Sequence, residues 1–389
     1  MKRPSRLLHM TPLGVDRMAA LADASTDPNL LRMENIDTDL LPHPSVVQAT
    51  RDAVTAAATN SYIPLLGQDS LRKAIAAHVS RQSGVNYDWQ TSTIVSAGAW
   101  TGLLNVLLAT IEPGDGVLLT APVYAGLLNR TRLVGGEAHL VPFRPTANGW
   151  RLDLDVLRAA ANIPRLRAIM LMNPNLPTGS VLTHDEWAAI AELCRERDLL
   201  LIYDAAMERI LYDGRQVIHP ASFPGMAERT ITIGTVSKEY RMIGWRVGWV
   251  VGPQDVIENV ALAAVTNSGT TVGLAAAAAR AALELPVADV KAAVDEWQRR
   301  RDLMLEELQD LVPIIPPHGG WTMMADVSSL GITGAEASRR LFEKGAVSAT
   351  SMEGWGDQET ARYLRFVFSN EPLARLRGIG DRFRRALLA

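Results

Sequence analysis

Cysteine is almost missing from this sequence. Cys194 stands alone among 389 residues, so no disulfide can form within the chain and a Cys-rich metal site is excluded. Charge of one sign is not in excess: 39 Lys and Arg stand against 42 Asp and Glu, a formal net charge of −3. Such a balance gives no basic face for nucleic acid and no charged tail. Long apolar runs are lacking too. The longest mild one, at 272–279, stops at Arg280, well short of the roughly 20 residues of a membrane helix. The start, Met1-Lys2-Arg3-Pro4, is basic, but no apolar stretch follows, so no signal peptide is read. These absences imply a soluble protein of a reducing compartment, the cytoplasm. There is no internal repeat, and no Gly-x-Gly-x-x-Gly follows the first strand, which disfavours a plain dinucleotide-binding dehydrogenase. No metal ligand set is read.

What is present is a globular composition, 48% hydrophobic and 21% charged, in a chain too long for one ordinary domain. Short β-branched or Leu-rich runs at 93–96, 117–120, 168–172, 199–203, 231–233 and 247–251 read as buried strands. Segments of helical spacing such as 185–197 lie between several of them. That alternation predicts an α/β unit with a mostly parallel sheet sandwiched by helices. The alanine run 275–279 reads as a closely packed helix. A long helix at 287–311 ends at Pro313, Pro316 and Pro317. Strands at 321–327 and 363–368 and a helix at 335–343 then predict a smaller α+β unit. Ligands of parallel sheets bind beyond the carboxyl ends of the strands, so the residues just after each strand carry the chemistry.

Four features stand there in order. Ser96-Ala97-Gly98-Ala99-Trp100 is a glycine turn that opens a helix, with free N–H groups suited to phosphate; it also reads as an ordinary turn. Asn173-Pro174-Asn175-Leu176-Pro177-Thr178-Gly179 is a loop stiffened by two prolines, with Asn173 at the strand tip. Asp204 closes a buried strand, where a carboxylate needs a partner or serves as a helix cap. Thr235-Val236-Ser237-Lys238 sets a lysine after a strand, where desolvation makes its amine nucleophilic, and Gly244-Trp245-Arg246-Val247-Gly248 follows. Singly, each has a purely structural explanation.

In this order the four resemble the class I/II aminotransferases of pyridoxal-phosphate (PLP) fold type I, over almost the whole chain. The resemblance implies a large domain at 46–285 with a mostly parallel seven-stranded sheet, a small α+β domain at 286–389, and an N-terminal segment at 1–45 serving the small domain and the substrate site. It implies that Lys238 holds PLP as a Schiff base and shuttles the substrate's α-proton. Asp204 would keep the pyridine nitrogen protonated. Asn173 would donate to the ring's 3-oxygen and contact substrate, and Tyr124 would stack on the ring. Thr235, Arg246 and the backbone of Ala99 and Trp100 would hold the phosphate, with help from Thr270 and Thr271. Arg365 would clamp the α-carboxylate of an amino acid, and a 2-oxo acid would accept the amino group. Tyr62 would reach the neighbouring subunit's phosphate, which implies a homodimer with shared active sites.

The pattern also departs from the family. Met207 stands three residues after Asp204, where relatives carry a tyrosine that shares the 3-oxygen; methionine is at best a weak acceptor. The ring oxygen is therefore expected to lose one donor, and the Schiff-base pKa to rise. In the N-terminal loop Glu34, Asp37, Asp39 and His43 are candidate substrate contacts. No arginine lies between Arg246 and Arg280, which disfavours a dicarboxylic amino donor. The leading expectation is an aminotransferase for an α-amino acid. The alternative keeps PLP but catalyses elimination, replacement or oxidation. A PLP-sensing regulator is disfavoured, because only about 30 residues precede Glu34.

Overall fold

The computed structural model describes residues 4–8, 10 and 14–388; the basic start at 1–3 lies outside the described residues. A helix, Gly14–Ala24, leads to a short strand, β1 (Leu31–Arg32). The large sheet follows, with β2 (Thr93–Ser96), β3 (Gly116–Ala121), β4 (Glu137–Thr146), β5 (Gly149–Leu152), β6 (Leu166–Met172), β7 (Leu200–Asp204), β8 (Thr230–Thr235) and β9 (Gly248–Val251). Its spatial order is β2-β9-β8-β7-β6-β3-β4-β5. Strands β8, β7, β6, β3 and β4 are parallel neighbours. β9 runs against both β2 and β8, and β5 runs back along β4. The ends of the parallel strands and the start of β9 therefore share one edge.

The sheet is mixed and has eight strands, one more than the seven expected. The two strands not read from local pattern form the edge hairpin of β4 and β5, where Pro142 and Pro145 blur the strand pattern. Glu186 pins β5 down. Its Oε1 accepts from Leu152 N at 2.7 Å while its Oε2 accepts from Thr183 N at 2.7 Å. Thr183 in turn caps the helix His184–Glu196, a reciprocal capping box.

After β9 come three helices, Gln254–Ser268, Gly273–Leu283 and Val287–Leu308. The alanine run lies in the second, with Ala275, Ala276, Ala278 and Ala279 buried, and this helix packs on Pro44–Thr55. The third ends before the expected position 311, because Leu311 N and Val312 N both turn back to Leu308 O. Its Arg300 and Arg301 are buried cations held by partners from distant segments. Arg300 reaches Asp39 Oδ1 at 2.6 Å and Ser369 O at 2.7 Å, and Arg301 reaches Asp213 Oδ1 at 2.6 Å. The remaining strands are β10 (Thr322–Asp326), β11 (Val347–Ser348), β12 (Thr350–Ser351) and β13 (Tyr363–Val367). β13 lies between β10 and β12, antiparallel to each, and β11 pairs in parallel with β1. That last pairing ties the N-terminal segment to the C-terminal sheet.

Backbone crowding at the shared sheet edge is testable. A Cβ on Gly248 would stand 2.5 Å from both Ala99 N and Gly98 C, whereas one on Gly244 meets nothing within 4 Å. Gly248→Ala is expected to destabilise the fold by roughly 1–3 kcal/mol, as overpacking does. Gly244→Ala is expected to stay near neutral, with both read from urea unfolding midpoints.

Candidate active site

Along the common edge of the sheet lies a cavity of about 350 Å³. Its walls come from the residues that follow β2, β3, β6, β7 and β8, from the turn before β9, and from the N-terminal segment and the small sheet. Of the residues expected from sequence, Ala99, Trp100, Tyr124, Asp204, Thr235, Lys238, Arg246 and Arg365 all line it.

Lys238 sits three residues beyond the end of β8. Its Nζ donates to Ile36 O at 2.7 Å and lies 5.0 Å from the centre of the Trp321 ring. It retains some exposure toward the cavity, yet desolvation pulls its pKa down to about 8 against the opposing pull of Asp37. Asp204, at the tip of β7, is buried. Burial pushes its carboxyl up to about 6, although Ala206 N donates to Oδ1 at 3.0 Å and Lys238 favours the anion. The cavity thus holds an amine and a carboxylate at separate strand ends, each drawn toward neutral pH by burial.

Beside them a cradle forms at the start of the helix Ala99–Thr110. Gly98, with φ 78°, precedes this helix and offers no side-chain cap, so the first N–H groups are free. The Arg246 guanidinium lies against this turn; a Cβ on Gly98 would come within 2.4 Å of its Nη2. Thr235 Oγ1 and Ser237 Oγ are 2.9 Å apart on the same wall. Free N–H groups, two hydroxyls and a guanidinium make an anion site. Ser237 was not singled out from sequence, although its place beside Lys238 could have indicated it.

Opposite, aromatic rings cluster. Tyr124 stands 5.6 Å from Trp100 and 5.7 Å from Trp355, and Arg130 lies 3.9 Å over the Trp100 ring. Burial keeps the Tyr124 phenol neutral by raising its pKa. Arg365, in the middle of β13, is fully buried. Its Nη2 donates to Glu34 O and to Thr350 Oγ1, while Nε and Nη1 have no protein partner. Burial lowers its pKa to about 10, so it stays cationic at neutral pH. A buried cation with free donors at a cavity wall awaits an anion.

Several expected residues are not brought to the cavity. Asn173 does not line it; its Oδ1 accepts from Leu182 N at 2.9 Å, and the loop presents Leu176 instead. His43 caps the helix Pro44–Thr55 by accepting from Ser45 N at 3.2 Å. Asp37 Oδ1 accepts from Thr38 N at 2.8 Å, and Asp39 is engaged by Arg300. Glu34 is buried against Arg32 and Ser348. Thr270 donates to Ile63 O at 3.2 Å, and neither it nor Thr271 lines the cavity. Tyr62 is 91% exposed, facing away from its own chain. The cavity wall also includes Val15, Asp16, Asn35, Ile36 and Trp355, which sequence reasoning missed. They come from segments distant in sequence, whose convergence no local pattern reveals.

Comparison with known proteins agrees with this geometry. The chain is 35% identical to an arginine–pyruvate transaminase of Pseudomonas aeruginosa over 360 residues, covering 91% of this chain and 90% of the relative. It is 32% identical to an aspartate/prephenate aminotransferase of Thermus thermophilus, covering 88% and 87%. Among solved structures, the N-succinyldiaminopimelate aminotransferase from Mycobacterium tuberculosis superimposes with a TM-score of 0.93 at 32% identity, covering all of both chains. The family model for aminotransferase class I and II matches residues 31–375, and the chain belongs to that family.

Proposed function

We propose that this aminotransferase acts on an α-amino acid and a 2-oxo acid, with PLP held at Lys238. One observation carries the reading: a desolvated amine, a buried carboxylate, an anion cradle and a buried arginine with free donors converge on one cavity. The residues fit the coenzyme in chemistry and in number. When bound, PLP supplies an aldehyde and a protonated pyridine ring that draws electrons from the substrate's α-carbon.

Lys238 Nζ would hold the coenzyme through its aldehyde carbon, with water as the leaving group, and would take up and return the substrate's α-proton. Asp204 holds the proton at the ring nitrogen, and a cationic partner there keeps its own carboxylate ionised. Ala99, Trp100, Thr235, Ser237 and Arg246 bind the phosphate. Tyr124 covers one face of the ring. Arg365 pairs with the α-carboxylate through Nε and Nη1 and so fixes the α-carbon near Lys238. In this reading 46–285 hold the coenzyme, while 1–45 and 286–389 bring the substrate arginine and close over it. A cytoplasmic homodimer is part of the proposal, with Tyr62 reaching a second site. The exposed apolar side chains of Tyr62, Leu65, Leu108 and Leu262 support it. Among the described residues no helix is long and apolar enough to cross a membrane.

Three outcomes follow. Capture of PLP by the apoenzyme is expected to accelerate as pH rises through about 8 and then level off. The free amine is the nucleophile, and burial has lowered its pKa from 10.5; stopped-flow absorbance against pH reads this. Arg365→Ala is expected to lower kcat/KM for amino acids by about 100-fold or more, as loss of a buried charge partner does. Arg365→Lys should recover little of it, lacking the planar fork. Finally, a panel of amino acids mixed anaerobically with the holoenzyme should release one equivalent of 2-oxo acid. Elimination products, or oxygen uptake in air, would instead indicate a lyase or an oxidase.

A further inference from the structure

The coenzyme reading above fixes more than the coenzyme's anchors. Its ring carries nitrogen at position 1, the hydroxyl at 3, the aldehyde carbon at 4 and the phosphate arm at 5. In that reading nitrogen would face Asp204, position 4 would face Lys238, and position 5 would face the cradle. The sheet order then decides where position 3 falls. The cradle is built at β2, β9 and β8, Asp204 ends β7, and β6 is the next strand beyond. Positions 3 and 5 flank position 4 on the two sides of the ring's 1–4 axis, so position 3 would point toward the residues that follow β6 and β7.

Those residues on the cavity wall are Met172, Leu176, Ala206 and Met207. None of their side chains holds an N–H or O–H donor. Leu176 and Met207 are buried. Asn173 is not on the cavity wall, and several polar atoms of the Leu176 loop bond within the protein. Asn175 Nδ2 donates to Thr120 Oγ1 at 3.1 Å, Thr178 Oγ1 donates to Asn175 Oδ1 at 2.7 Å, and Asn173 Oδ1 serves Leu182 N. The neutral donors on the wall stand elsewhere: Thr235 and Ser237 in the cradle, Trp100 and Tyr124 after β2 and β3, and Asn35 and Trp355 in the segments that meet Arg365.

We propose that Leu176 and Met207 together leave the coenzyme's 3-oxygen without any side-chain donor, so that this oxygen holds the proton at Lys238 Nζ more tightly. The two residues act on the reaction's proton through the oxygen they fail to solvate and are positioning residues in that sense. A donor would stabilise negative charge on the oxygen and loosen the proton; its absence does the reverse.

The test is a pH titration of the visible absorbance of the PLP-loaded enzyme, which follows the proton at Lys238 Nζ. The native enzyme is expected to keep its protonated absorbance to a midpoint of roughly 8 or above. Leu176→Asn and Met207→Tyr, which each add a donor, should lower the midpoint by about one pH unit, since a hydrogen bond to a charged group is worth that much. Leu176→Met and Met207→Leu, which add none, should leave it in place. A native midpoint below neutrality overturns the proposal, as do donor variants that load PLP without a shift or donor-free variants that shift as far. So does a rise in the midpoint with Asn173→Ala, which would make Asn173 the donor. An enzyme that never takes up PLP at Lys238 fails the coenzyme reading itself, a result distinct from all of these.

Discussion

The desolvation of one amine governs the rest of this structure. Lys238 is carried past the end of β8 into a crowded edge, where protein replaces water around its Nζ and lowers its pKa to about 8. A lysine in water is almost wholly protonated at neutral pH and inert as a nucleophile. Here a usable fraction is the free base. The surrounding fold keeps the site dry without leaving the ammonium wholly unsupported. The Ile36 carbonyl accepts its hydrogen bond, and Asp204 and Asp37 favour its charge.

That carbonyl belongs to the N-terminal segment, so the amine is held by a part of the chain about 200 residues away. The same segment gives Glu34 O to Arg365 and pairs β1 with β11. Lys238 and Arg365 therefore share one strap. Its conformation is held by two ion pairs, each with one buried partner: Arg32 with buried Glu34, and Asp39 with buried Arg300. Glu34 and Asp39, two of the loop acids read in the sequence as candidate substrate contacts, hold this strap in place.

Much of the fold was legible because strand, turn and helix signals repeat locally. The six strands expected around the site were all found, to within a residue or two, and Lys238, Asp204, Arg246 and Arg365 all face one cavity. The hairpin strand β5 escaped notice because two prolines interrupt its partner β4 and because Glu186, 34 residues away, is what secures it. Asn173 shows a different limit. The motif marks the loop, but which of its residues faces the cavity depends on how the loop's hydrogen bonds close. Asn175 satisfies Thr120 and Thr178, and the turn then presents Leu176. Val15, Asp16 and Trp355 reach the cavity only through tertiary packing, which no sequence period encodes.

The proposed covalent attachment of PLP at Lys238 is the point on which these relations converge. Reduction of the PLP-loaded enzyme with borohydride, followed by proteolysis and mass spectrometry, reads it directly. A pyridoxyl-phosphate group on the peptide that contains Lys238, and on no other, is the expected result. An unmodified Lys238 in enzyme that has taken up PLP, or the label on a different side chain, would contradict this account.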